Sequence, residues 1–195
     1  MAADDRVKIR DVRVLAALSH PIRLAVLHLL LTLGEVTATQ CSDVVDATPS
    51  ACSYHLRHLE RFGLVERADV DAENTDGRTR RWRSVASVFD FGEPRSNESP
   101  ELLAASVALI STGLAENLRL AQHYLAHLDD VTGPWQDVAT FSTYALTANA
   151  RELEEAIAAI DAIVRPLRGA ARKHPPADAL PVRLSLEAFP RTDLP

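Results

Sequence analysis

The chain has 195 residues and a formal net charge of −6, with two cysteines, at positions 41 and 52. Its length allows one large or two small domains with a substantial core, and two cysteines make no disulfide framework. No run reaches the ~18–20 uninterrupted apolar residues of a membrane helix and the N-terminus has no signal-peptide pattern, so a cytoplasmic protein without a membrane partner is expected.

Val12 to Leu18 reads as a first helix. Pro21 to Leu33 follows, with Ile22, Leu24, Ala25, Val26, Leu27, Leu29, Leu30 and Leu33, too apolar for a surface helix and therefore the central one. Thr37 to Val45 is a short helix that turns Cys41, Val44 and Val45 inward. After the tight turn Asp46-Ala47-Thr48, Thr48 caps the next helix and Pro49 fits its first turn, where a missing N–H costs nothing. Cys52, Leu56 and Leu59 form the apolar stripe of that helix. Ser50, Ser53, Tyr54, Arg57 and Arg61 lie largely off the stripe. Gly63 ends the helix.

Two short helices across a tight turn are a helix-turn-helix arrangement. The outer face of the second carries hydroxyls, a phenol and arginines. Such groups suit a DNA major groove: small polar atoms reach base edges, and arginines reach phosphates or guanine. Downstream, Leu64 to Val70 and Arg78 to Val88 are strand candidates around a turn ending in Asp76-Gly77. This hairpin is a wing whose returning arm holds Arg78, Arg80, Arg81 and Arg83.

The net charge conceals an uneven distribution. Residues 1–92 hold 12 Lys+Arg against 13 Asp+Glu, and residues 93–195 hold 9 against 14. The acidic excess sits mostly in the second half, while basic groups cluster on the proposed helix and wing. Affinity for DNA follows local phosphate neutralisation rather than the total. Solvated surface arginine is the ordinary alternative, but helix pattern and wing coincide here.

The words Leu18-Ser-His-Pro-Ile-Arg-Leu-Ala-Val-Leu27, Ser53-Tyr-His-Leu-Arg-His-Leu-Glu60, Gly63-Leu-Val-Glu66 and Gly77-Arg-Thr-Arg80, in that order, resemble the winged helix-turn-helix domain of ArsR-type bacterial transcription regulators over about residues 10–90. The resemblance implies a homodimer that represses transcription and leaves double-stranded operator DNA when an effector binds. Members that sense soft metals carry a Cys-x-Cys before the recognition helix. Thr37 and Thr39 occupy those positions here, and Cys41 falls where the family has a buried leucine. Both cysteines therefore read as small apolar core residues.

A polar stretch, Phe91 to Pro100, reads as a linker. This gives a DNA-binding domain at 1–92, a linker at 93–100 and a dimerisation and effector domain at 101–195. The second domain opens with a long helix from about Pro100 to Leu128, whose Leu103, Val107, Ile110, Leu114, Leu118, Ala121, Leu125 and Leu128 step by three or four as a packing seam. Together with the first helix, much of that seam is expected at a two-fold interface. Val138 to Leu146 suits a strand, Thr147 can cap a second helix, and Val182, Leu184 and Leu186 alternate with Arg183, Ser185 and Glu187 as a half-buried strand. The two strands could pair with each other. The overall class is α+β, mostly α. Trp135, the Leu146-Thr147 helix start and the Val182-to-Pro190 strand also resemble a C-terminal domain attached to ArsR-type domains in high-GC bacteria. The use of nineteen arginines against two lysines agrees with such a genome.

Tyr124, Trp135, Phe141 and Tyr144 are candidates for a pocket that takes an apolar or aromatic small molecule, and equally for core and dimer interface. His123 and His127, four apart with Asp130 beyond, have the spacing of two imidazoles and a carboxylate toward zinc, although a solvated histidine pair has the same spacing. No cofactor is called for. Phosphate loops, nucleophile elbows and His-Glu-x-x-His words are absent, so the chain does not read as an enzyme. The alternatives to an effector-released repressor are a zinc-responsive repressor and a constitutive DNA-binding dimer.

Overall fold

The computed structural model describes residues 6–68, 80–169 and 174–193. Strand β1 (Arg6–Lys8) leads into helix α1 (Val12–Leu18), capped by Asp11, whose carboxylate accepts from the Arg13 backbone N–H at 2.8 Å. Helix α2 (Pro21–Leu33) is central as expected: Leu24, Val26, Leu27 and Leu30 are buried. Gly34, at φ 86°, takes the chain out of it, a left-handed conformation that favours glycine.

Strand β2 (Glu35–Thr37) runs into α3 (Ala38–Ser42), which a capping box starts. The Thr37 hydroxyl accepts from Gln40 N–H at 3.2 Å, and the Gln40 side-chain oxygen accepts from Thr37 N–H at 2.9 Å. This helix is shorter than the pattern implied. It ends at Ser42, so Val45 is buried but Val44 is 54% exposed rather than inward. Helix α4 (Pro49–Arg61) begins with Thr48 accepting from Ala51 N–H at 3.2 Å and Pro49 in the first turn.

Strands β3 (Val65–Arg67) and β4 (Arg81–Ser84) form the antiparallel sheet β2-β4-β3, in which Trp82 is opposite both Val36 and Arg67. The expected arm from Arg78 to Val88 is not one strand. The chain breaks at Ser84, whose hydroxyl donates to the Ala86 carbonyl, and β5 (Val88–Asp90) pairs in parallel with β1 instead. The turn through Asp76-Gly77 lies outside the described residues.

Helix α5 (Pro100–Ala126) is capped by Ser99 and packs against α1 and α2 through Ala105, Ser106 and Leu109. The Thr112 hydroxyl is 3.0 Å from the Ser19 carbonyl oxygen, tying this helix to the α1–α2 turn. Val14, Leu15, Ala17 and Leu18 are consumed by this packing, which leaves α1 little apolar surface for a partner. The expected seam runs along another side: Val107, Ile110, Leu114, Leu118, Leu125 and Leu128 are exposed. By length and apolar content α5 could also cross a bilayer.

Helix α6 (Trp135–Val138) is a single turn, and α7 (Ala150–Val164) starts at Asn149 with its own capping box to Glu152, two residues after the expected cap Thr147. Short 3₁₀ turns follow α5 (Leu128–Asp130) and α7 (Arg165–Leu167). Neither expected late strand is a strand: residues 139–149 and 179–191 enter no ladder and do not pair with each other.

Candidate nucleic-acid interface

One core sets the direction of the recognition helix. Cys52, Leu56 and Leu59 are fully buried against the α2 cluster, so at 3.6 residues per turn Ser50, Tyr54, Arg57 and Arg61 project outward and Ser53 sits at the margin. His55 is also inside, only 7% exposed, its ring 4.8 Å from that of His20 at the start of α2. Burial holds both imidazoles below their usual range, with the Arg23 guanidinium adding to the effect, so the pair is a neutral contact between two helices. The i+3 spacing of His55 from Cys52 is the sequence signal that places it on the buried face.

The structure brings Ser50, Ser53 and Arg57 of α4 together with Arg80, which precedes β4, around one open cleft of about 440 Å³. Trp82 of β4 and Thr39 of α3 also line it. The sequence reading placed Thr39 only against the metal-site positions and not on this face, though the Thr37-to-Gln40 capping box is a legible signal that α3 begins here. Tyr54 and Arg61 are exposed on the same helix outside this cleft, and Arg78 lies outside the described residues.

Electrostatics separate the arginines into two groups. Arg81 approaches Glu35 at 3.8 Å, Arg83 binds Glu66 at 2.7 Å, and Arg67 binds Glu60 at 3.3 Å with its guanidinium 5.5 Å from the Trp82 ring centroid. These arginines brace the sheet. Among the described residues Arg57, Arg61 and Arg80 are in no ion pair. Two of these cations, Arg57 and Arg80, share the cleft with the hydroxyls of Ser50, Ser53 and Thr39, which makes a surface for an anionic polymer with readable edges.

The remaining candidates are dispersed. Tyr124 and Phe141 approach within 6.0 Å, Trp135 is half-buried, and Tyr144 is 79% exposed. The His123 and His127 rings are 4.2 Å apart, and His127 Nδ1 lies 2.8 Å from the His123 carbonyl oxygen. Among the described residues no three His, Cys, Asp or Glu side chains gather around a common point that could hold a metal ion. Both cysteines are free and buried. Desolvation pushes the Cys41 thiol up to about 12 and raises Cys52, so neither is a thiolate at neutral pH.

A helix presented across a tight turn, with an open basic face beside a three-stranded sheet, defines a DNA-binding helix-turn-helix module. Residues 18–68 match the model of a helix-turn-helix domain family, a span from the end of α1 to just past β3. The chain is accordingly a DNA-binding transcription regulator. No curated protein matches it.

Proposed function

We propose that this chain is a cytoplasmic, ArsR-like repressor that binds operator DNA as a two-fold homodimer and leaves it when a small apolar or aromatic molecule binds the second half. The cleft formed by Ser50, Ser53, Arg57 and Arg80 carries this reading, because it places base-reading hydroxyls beside uncommitted phosphate-binding arginines. A single helix of this length reads only a few base pairs, so useful specificity needs two half-sites about 34 Å apart. The uncovered apolar row on α5 supports a second copy as the means of providing them.

Support for an effector comes from the contact between halves. A second cavity, about 340 Å³, lies between Leu27 and His28 of α2, Phe89 and Phe91 around β5, and Arg183 and Leu184 of the C-terminal chain. A ligand there, or against Tyr124 and Phe141, would act on the helix that supports the recognition helix. It must bind the released geometry better than the bound one, since equal affinity shifts nothing. Enrichment from a random duplex pool tests the DNA reading. We expect a two-fold-symmetric footprint with half-sites one helical turn apart; a single asymmetric half-site, or no enriched sequence, refutes it.

A further inference from the structure

Two stretches of the second half carry strand-like sequences and have no sheet to belong to. Among the described residues, no backbone–backbone hydrogen bond is made by residues 140–148 or 180–190. Each nevertheless bears large apolar side chains that are mostly in solvent: Phe141, Tyr144 and Leu146 in the first, Val182, Leu184, Leu186 and Phe189 in the second. The same chain leaves an apolar row of α5 uncovered, and large uncovered apolar surface marks an interaction site.

The second segment is anchored by its polar side. Arg183 donates to Asn117 Oδ1 of α5 at 2.9 Å and lies 3.2 Å from His28 Nδ1 of α2, while Asn117 donates to Glu187 at 3.2 Å. Position 183 meets both α2 and α5 and position 187 meets α5, and the alternating apolar positions 182, 184 and 186 are left in solvent. That is the reverse of a strand lying on its own core. Asn117 precedes Leu118 on α5, so the segment is held against the helix that also carries the uncovered Leu114 and Leu118.

We infer that in the dimer residues 139–146 of one copy pair as a β-strand with residues 181–189 of the other, completing across the two-fold axis a sheet that neither chain forms alone. A second copy is the occupant because it supplies both complementary segments at once, and symmetry then repeats the pairing. The pairing gives backbone groups their ladder partners and covers the two apolar edges together with α5. This inference rests on the dimer reading and specifies how that dimer is built.

Hydrogen exchange on the full chain at dimer-forming concentration tests it. Amides in 139–146 and 181–189 should exchange roughly a hundredfold or more slowly than unstructured peptide, and should lose that protection on dilution to monomer. A second measurement fixes the partner. One chain carrying Tyr144→Cys is mixed with another carrying Leu184→Cys or Leu186→Cys; facing strands bring Cα atoms within the ~7 Å a disulfide spans. A mixed covalent dimer is expected. Unprotected amides in a chain of dimeric mass overturn the strand pairing and leave the dimer reading intact. Protection that persists in the monomer, or that appears only with lipid vesicles or another protein, also overturns the pairing.

Discussion

Arg57 and Arg80 face one cleft yet should fail differently when removed. Arg57 projects from the middle of the recognition helix, where a guanidinium reaches base edges. Arg57→Ala should cost about 1–3 kcal/mol on the preferred sequence and relax discrimination at one position. Arg80 comes from the sheet side, so Arg80→Ala should weaken all duplexes about equally and lower the salt slope by about one. Anisotropy titrations on matched and mismatched duplexes separate the two. If both variants lose the same affinity on every sequence, Arg57 makes only a phosphate contact.

His28 makes a second residue-scale test. Burial first, and the neighbouring Arg183 second, push its imidazole down to about 4. The unfolded chain takes a proton at the ordinary value near 6.5. This contribution to stability is therefore complete above pH 6.5 and lost progressively as pH falls through about 4, by up to ~3 kcal/mol. His20, His55 and His58 are shifted the same way, so His28→Leu should remove only part of the acid sensitivity of the urea midpoint. An unchanged midpoint profile between pH 7 and 4 would show that His28 is open to water in solution.

At the scale of elements, Leu118 and Gly169 test the packing of the second half. Leu118 stands on the uncovered face of α5, and Leu118→Glu should give a chain of monomeric mass in sedimentation with its helix content intact. A dimeric mass would place the interface elsewhere. Gly169 passes so close to α2 that an added Cβ would lie 2.6 Å from the Thr32 carbonyl oxygen. Gly169→Ala should loosen the C-terminal chain from α2, seen as faster exchange around residues 165–169, while residues 18–68 keep their protection.

The legibility of these elements followed from how local their causes are. Helix α4 was read in full because Thr48, Pro49, the Cys52-Leu56-Leu59 stripe and Gly63 each act within one turn of the chain. The cleft was legible on the helix side for the same reason. Its Thr39 wall and the commitment of Arg81 and Arg83 to Glu35 and Glu66 depend on sheet register, which alternation alone does not fix. Val44 was placed inside by periodicity, but a helix ending at Ser42 breaks the period before it. The late segments show the strongest departure. β-Branched and aromatic content suits a strand at Val138 to Leu146 and alternation suits one at Val182 to Leu186, and the single chain offers them no ladder, because a strand's partner is not written in its own sequence.

For the whole molecule, the two halves share more than a linker. Arg10 bridges to Glu98 at 3.2 Å, Thr112 reaches the α1–α2 turn, and Arg183 reaches α2. A change in how α5 or the C-terminal chain sits is therefore felt by the helix beneath α4. Effector coupling of the usual size, about 1–3 kcal/mol, would lower operator affinity 5- to 150-fold with no change in any recognition residue. The release should appear as altered half-site spacing preference; loss of affinity for a single half-site instead would point to damage within the recognition helix.

The central claim is that the face carrying Ser50, Ser53, Arg57 and Arg80 holds DNA. Its most direct measurement is a titration of the enriched duplex with the intact chain and with Arg57→Ala/Arg80→Ala, repeated from low to moderate salt. The intact chain should bind with log K falling steeply and linearly in log salt, and the double variant should bind more weakly with a slope reduced by about one, the share of Arg80. Equal affinities and equal slopes for the two proteins would contradict the assignment of this face.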